Sequence, residues 1–501
     1  MNAKADGVVG RVARHVNMGH RKQDECVLRH VMRLAGAPGA GAGQAGGAKD
    51  ASWAESKSWY DLINNENVGV RSLRELRAHV VRESFDPTVA VAVFHDITEL
   101  DFTRHASKQE RMEIGDGKGR GYEYHPCVAW DPRAKRFLGV LHDTVISEAG
   151  PDDTDAMDYH GDPLLAHWDE AQRDKLLFNH RHQLATHIRG LAALAPGQPM
   201  VHVADREFDD IPAMAAARQV NHDFVFRVLG NRTVLVEDND GQTVPCAMQA
   251  LIAALPMTPY KEVGLDARGH VAYGGGKPKR VAKLSIGACR VFLHRPATRG
   301  QRHDVKLPAP MAVNLVVIRE LDPPPGVDAL CWLLFTSLPV DTLEQQAWAG
   351  ALYEQRWRIE EYFKLLKSGF RIEYTRFTEP VQIAKALVFY SLAAMALLTL
   401  KTQLGIAPTG PLDKDMYAKV RHAMRHPDDP TLEPSMQLFA LVLRGGGWLG
   451  RRTDPIGPTI LMRGMLQVMT MFSMVNQFSD LIASLARNFH GGCENAYTWY
   501  P

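Results

Sequence analysis

Runs of apolar and polar positions divide the chain before any residue is singled out for chemistry. The N-terminal stretches DASWAESKSWYDLINNENV and SLRELRAHVV carry helical spacing, with Trp53, Trp59 and Tyr60 among their apolar positions. From Asp86 the pattern turns to strands. TVAVAVFHDITELDF is β-branched and apolar and runs into a polar end at His95-Asp96. A Gly-rich turn (Gly115 to Gly121) leads to YEYHPCVAWD, and a turn at Pro132-Arg133 leads to RFLGVLHDTVI, which together predict an antiparallel meander of three strands. There follow a helical pattern (LLFNHRHQLATHIRGLAALA), a strand (MVHVAD, Met200 to Asp205), a helix (DIPAMAAARQV) and a strand (DFVFRVL). Residues 231–340 read as short strands such as RVAKLSIGACRVFLH and NLVVIREL with no strong helix, and helices resume at Thr342 and run to the end.

The order βββ-α-β-α-β places a carboxylate at the end of the first strand, Asp96, and of the fourth, Asp205. That is the order of an RNase H-like core, in which those two strands lie side by side. The expected fold class is therefore α/β, an RNase H-like core (βββαβαβ then helices) with an all-β insertion and helical N- and C-terminal regions. The expected divisions are 1–85, a helical DNA-binding region with a Gly/Ala linker (Ala35 to Ala48); 86–230, the first part of the core; 231–340, the β insertion; 341–405, the last part of the core; and 406–501, a C-terminal helical region. A strand-end Asp taken alone is as readily a turn or N-cap residue. Two of them in this order suit a pair of divalent ions shared by converging carboxylates, with Mg²⁺ needing only oxygen ligands and water.

A third carboxylate comes from LYEQRWRIEEYFKLLKSGF. On a continuous helix Tyr353, Arg356, Glu360, Lys364 and Lys367 fall in one stripe, beside an apolar stripe of Ile359, Phe363 and Leu366. A carboxylate flanked by cations one turn above and below suits a metal ligand whose neighbours bind phosphate.

The spacing Tyr353-x2-Arg356-x3-Glu360-x6-Lys367 resembles the Y-x2-R-x3-E-x6-K signature of insertion-sequence transposases of the IS-four type, and RWRIEEYFKLLKSG looks like the equivalent helix of the transposon-five transposase. The resemblance extends through Asp205-Arg206-Glu207, Phe224 to Arg227 and Trp332 to Ser337, and covers about residues 50–480. It implies a DDE transposase in which Asp96, Asp205 and Glu360 bind two Mg²⁺, with Mn²⁺ as an alternative. Cleavage at the ends of the element would proceed through a hairpin to strand transfer. By the same resemblance Arg356, Lys367 and Arg227 contact DNA, Tyr353 supports the flipped or end nucleotide's phosphate, and Trp332 stacks on a flipped base. A core tryptophan and a surface arginine are the plain readings of Trp332 and Arg227, and Lys364, in the cationic stripe, and Arg206, beside Asp205, are further DNA-binding candidates. Thr98 shares a strand face with Asp96. His95, His125 and His142 read as structural histidines. The partners implied are double-stranded DNA, as element ends and target, and a second copy of the chain on DNA. Competing readings are a DNA-binding relative that no longer catalyses, and a structure-specific nuclease on the same core.

Charge adds one feature. The chain has 58 Lys+Arg and 57 Asp+Glu, net +1, which by itself argues against a nucleic-acid partner. Yet from Arg268 to Lys306 ten bases, among them Lys277, Lys279 and Arg280, face the single acid Asp304. A stretch that basic, between Asp205 and Glu360, is a candidate backbone-binding surface. Residues 1–34 are basic too, and Arg11, Arg14, Arg21 and Lys22 are equally phosphate contacts or solvated charges. The six scattered cysteines argue against a disulfide scaffold and a structural zinc site. The N-terminus lacks the apolar stretch of a secretory signal. Ala386 to Leu400 is uncharged and apolar but shorter than the ~20 residues of a membrane span. A buried core helix and a soluble, cytoplasmic protein are expected.

Overall fold

The apolar run ending at His95 forms β1 (Val91–His95), and all five of its residues are buried, as the near-continuous apolar character of a central strand requires. Two short strands not expected from the sequence, β2 (Thr98–Asp101) and β3 (Met112–Ile114), precede the long hairpin β4 (Gly119–Asp131) and β5 (Arg136–Ser147), closed by the two-residue β6 (Gly150–Pro151). Both short strands pair with β4. Their approach demands glycine at 121, where a Cβ would sit 2.0 Å from the Leu100 carbonyl oxygen. The helix His180–Leu194 leads to β7 (Met200–Ala204), and the helix Ile211–Gln219, with Pro212 in its first turn, leads to β8 (Asp223–Arg227). β1 runs antiparallel to β4 and parallel to β7, and β7 runs parallel to β8, as an intervening helix allows.

The computed structural model describes residues 7–36, 53–152, 180–238, 240–265, 280–294, 310–403, 414–426, 429–448, 450, 460–461 and 463–464. They divide into a larger unit, Val70–Glu360 with Phe377–Lys385, and a smaller one, Met1–Gly69 with Glu361–Arg376 and Ala386–Pro501.

In the larger unit the region after β8 corrects one expectation. It contains β9 (Thr233–Glu237), β10 (Thr243–Ala247), β11 (Thr258–Leu265), β12 (Arg280–Leu293), β13 (Met311–Glu320) and β14 (Cys331–Thr336), but also a helix, Met248–Ala254, so it is not all-β. Nor is it a separate sheet. β14 pairs antiparallel with β8, placing Phe335 opposite Phe226, and the strands join one mixed sheet in the order β10-β9-β12-β13-β14-β8-β7-β1-β4-β5-β6. An unpaired β8 would leave an apolar edge open; β14 closes it. The helices His180–Leu194, Ile211–Gln219 and Met248–Ala254 cover one core cluster, which includes Leu184, Met214, Phe226, Ile252 and Phe335.

The carboxylate helix differs from a single rod. Thr342 caps its start: its hydroxyl accepts from the Gln345 N–H and the Gln345 side chain answers to the Thr342 N–H. The helix Leu343–Gln355 then stops. A second, Arg358–Lys364, follows after two residues and runs into a π-turn, Leu365–Gly369. Bonds at the junction span three residues (Ile359 N–H to Arg356 C=O 3.0 Å, Glu360 N–H to Trp357 C=O 3.2 Å), so a uniform 100° per residue does not carry through it. Tyr353 and Arg356 are buried, while Glu360 and Lys364 are exposed, so the single stripe drawn from the sequence is split; Ile359, Phe363 and Leu366 are buried as expected.

In the smaller unit Trp59 meets Phe389 edge-on at 5.1 Å and Phe370 stacks on Tyr390 at 5.0 Å. Of the described helices Pro380–Gln403 is the one long and apolar enough to cross a membrane, but 83% of its apolar window is buried within the protein, as a core helix would be. The helix expected from Thr459 to Phe478, the Gly/Ala linker and most of the basic stretch Arg268 to Lys306, with Lys277 and Lys279, lie outside the described residues.

Candidate active site

Asp96 and Asp205 are each the first residue beyond a central strand, and the register pairs His95 with Ala204, so the two aspartates leave the sheet side by side. One guanidinium joins them. Arg356 donates from Nη1 to Asp96 Oδ2 (2.5 Å) and from Nη2 to Asp205 Oδ2 (3.0 Å). Arg227, the last residue of β8, reaches Asp205 Oδ1 at 3.4 Å, and the Tyr353 hydroxyl donates to the same oxygen at 3.2 Å. Asp205 also accepts from the Arg206 N–H (2.7 Å), capping the turn Arg206–Phe208, and Asp96 accepts from the Ile97 N–H (3.1 Å). Asp205 therefore caps a turn, one of the plain readings of a strand-end Asp, while its carboxylate also pairs with two arginines.

Burial and charge act in opposite senses on the two acids. At Asp96 desolvation outweighs the Arg356 guanidinium and raises the carboxyl above its ordinary range, with Glu207 adding to the rise. At Asp205 desolvation is overcome by the Arg206 N–H, Arg356, Arg227 and the Tyr353 hydroxyl, and the carboxyl is held below that range. Two carboxylates that turn an oxygen each to one cation have the donor chemistry and convergence a shared divalent ion needs. Glu360 follows Arg356 by about one helical turn, at an exposed position.

The helix bearing Tyr353 is anchored on both sides. Gln355 accepts from the Trp130 indole of β4 (2.7 Å), and Glu354 is paired with Lys261 of β11. Trp332, half-buried on β14, meets Tyr353 edge-to-face at 5.8 Å. Arg206 is exposed beside Asp205. Thr98, on β2, is buried opposite Tyr124. Arg280 is bound to Glu320, so its guanidinium is committed within the protein rather than presented to phosphate. In the smaller unit Lys364 is exposed and Lys367 lies 3.8 Å from Glu373.

Two acids, Glu99 and Glu123, are not singled out by the sequence. Glu99 and Glu123 stand opposite each other on β2 and β4, and burial, then Glu207 and Glu99, raise the Glu123 carboxyl. β2 was not predicted, so the cross-strand pairing that brings them together could not be read. The histidines form a buried chain: His95 to His202 and His202 to His222 are each 3.0 Å between ring nitrogens, and His187 meets the Thr144 hydroxyl at 2.8 Å.

Residues 179–396, less than half of the chain, match the family model described as a transposase DDE domain; the match takes in Asp205 and Glu360. A solved structure, titled a cryo-EM structure of a piggyBac transposase synaptic complex with hairpin DNA, aligns over 87% of this chain and 82% of that one, at 10% identity and a TM-score of 0.34. A likeness that distant says nothing further about this chain. The domain match makes the protein an enzyme of the DDE transposase class, acting in DNA transposition and recombination. Domains of this class use divalent metal ions.

Proposed function

We propose that the chain is the transposase of an insertion sequence of the IS-four type, cutting the ends of its element and joining them to target DNA. The observation that carries this is the emergence of Asp96 and Asp205 side by side from parallel β1 and β7, both turned to one cation. The sheet from β1 to β8 and its helices would be the RNase H-like core, with Glu360 as third carboxylate. The divisions proposed for the chain are those expected from its sequence, with an end-binding region before residue 86 and with residues 231–340 continuing the sheet and carrying a helix.

Two Mg²⁺, held by Asp96, Asp205 and Glu360, would supply Lewis-acid stabilisation of the attacking and leaving oxygens. The residues of the chain then set the substrate. Arg227, Arg206, Lys364 and Lys367 bind backbone phosphates. Trp332 offers a face for an unstacked base, worth about 1–3 kcal/mol. Water would open one strand and free a 3′-OH; that hydroxyl would attack a phosphodiester of the opposite strand, expelling the flanking DNA's 3′-OH and closing a hairpin, which a second water would hydrolyse before transfer. The basic stretch from Arg268 to Lys306, Arg280 apart, would give the backbone a further surface. The resemblance favours a homodimer on paired ends, acting in the cytoplasm.

Incubation of the full chain with DNA bearing the element's ends and Mg²⁺ should give nicks and hairpins that Glu360→Ala abolishes. Undiminished cleavage by that variant would refute the assignment.

A further inference from the structure

We infer that Arg356 is a tethered cation that competes with divalent ions for Asp96 and Asp205, and that its transfer to a DNA phosphate couples metal loading to substrate binding. The inference rests on the proposed function and gives one of its phosphate-binding residues a second task.

Arg356 was expected at the DNA surface, yet it is 2% exposed and lies between the two aspartates. Its Nη atoms take one oxygen from each, while its Nε makes no hydrogen bond. The guanidinium therefore uses the oxygens that a shared metal ion would need. The charge balance is just as restrictive. Asp96 and Asp205 are matched by Arg356 and Arg227, with Glu207 acting on Asp96 as a further acid, so the two arginines weaken the attraction of a dication entering beside them. Arg227 also bonds Tyr353 and touches only Oδ1 of Asp205. Arg356 alone spans both acids, and it is the group that has to leave.

The backbone is suited to that movement. Arg356 and Trp357 are the two residues between the helices Leu343–Gln355 and Arg358–Lys364, where bonding has slipped to three-residue spacing. The Trp357 ring, 56% exposed, already lies 5.3 Å from the Arg356 guanidinium carbon and offers a cation–π resting place nearer solvent. A planar guanidinium released there is matched to a phosphate's paired oxygens. An arginine removed from two carboxylates without replacement partners would leave costly buried charge. Metal on the acids and phosphate on the arginine satisfy both sides together, so each favours the other, and by linkage the coupling is reciprocal.

The test measures Mn²⁺ binding to the full chain by calorimetry, without DNA and then with a short duplex. Arg356→Gln should bind Mn²⁺ about tenfold tighter than wild type without DNA, since one positive charge beside the ions is gone. Duplex should raise Mn²⁺ affinity in wild type and far less in Arg356→Gln, and Mn²⁺ should raise wild-type duplex affinity by the same factor. Unchanged or weaker Mn²⁺ binding by a folded Arg356→Gln would overturn the inference. If that variant does not fold, Arg356→Lys, whose ammonium lacks the two-pronged reach, should show a smaller gain, and no gain overturns it equally. Asp205→Asn separates the two levels: loss of Mn²⁺ binding there with no effect of Arg356 substitution leaves the proposed function standing, whereas full Mn²⁺ binding by Asp205→Asn refutes the function itself.

Discussion

Two clusters in the larger unit are made of the same parts and sit in different surroundings. In one, Arg74 and Arg77, from the helix Val70–Arg82, hold Asp143 of β5 and Asp152 beyond β6, and the Tyr124 hydroxyl donates to Asp143 at 2.9 Å. In the other, Arg227 and Arg356 hold Asp96 and Asp205, and the Tyr353 hydroxyl donates to Asp205. Each has two arginines, two aspartates and a tyrosine. The first has carboxylates 1% and 9% exposed, with Asp143 paired in mid-strand; the second has carboxylates 14% and 28% exposed, just past the ends of two parallel strands. Residue type does not separate a structural ion cluster from one able to take ligands. Position at the strand end, and the solvent that comes with it, does.

The largest effects should break the comparison cleanly. On the proposed function, Asp205→Asn is expected to cut DNA cleavage by about a thousandfold or more, because a proposed metal ligand is gone. Its cost in stability should stay near ~1 kcal/mol, since Arg356 keeps Asp96 and the site is partly solvated. Asp143→Asn should do the reverse and destabilise by about 3–5 kcal/mol, leaving Arg77 buried without its counter-charge. Urea unfolding with a parallel cleavage assay reads both. Equal stability losses from the two substitutions would show that the clusters are not different in kind.

The strand-end aspartates were legible because a buried parallel strand announces itself as an apolar run and its end as the first polar residues; His95-Asp96 and Ala204-Asp205 both obey that rule. Tyr353 was legible through the motif spacing, and Arg227 as the polar end of its strand. The partner of Arg356 was not. A helical wheel assumes one rod, and the change in bonding at Arg356–Trp357 turns this arginine inward while Glu360 stays exposed. Arg74 and Arg77 escaped notice altogether: three residues apart on a helix, they look like a solvated face. Only the packing of that helix on β5 reveals them, and packing across 66 residues of chain leaves no local trace. Residues 231–340 read as short strands inserted into the core, whereas two of them, β12 and β13, are long and the region extends the same sheet through β14.

Acid should sharpen the contrast next. Burial holds His187 at about 3, and holds His95, His142 and His202 well below their usual value, so the folded protein keeps these rings neutral. The unfolded chain takes up those protons below about 6.5. Stability is therefore full above that pH and falls as pH drops towards 3, with His187 alone accounting for about 2 kcal/mol at pH 5. Asp143 and Asp205, both held below the ordinary carboxylate range, keep their contributions down to about 4, the unfolded value, and lose them as pH falls further. Thermal unfolding at pH 8, 6.5 and 5 should show the loss between the last two; a flat profile would mean the histidines are not held neutral.

The smallest effect compares the two tyrosines directly. Tyr124→Phe removes a hydroxyl from a carboxylate in the interior, where water cannot replace it, and should destabilise by about 1–3 kcal/mol. Tyr353→Phe removes the same group from Asp205, which retains Arg356, Arg227 and the Arg206 N–H, so its cost should stay below about 1 kcal/mol. The ring of Tyr353 also supports Trp332 edge-on, and phenylalanine keeps that contact. A change in cleavage without a matching change in melting temperature is the outcome expected at 353, and the converse at 124, where the hydroxyl has no path to the site. If Tyr353→Phe instead melts the protein as severely as Tyr124→Phe, the hydroxyl at 353 holds up the fold and Asp205 is less accessible to ligands than its exposure implies.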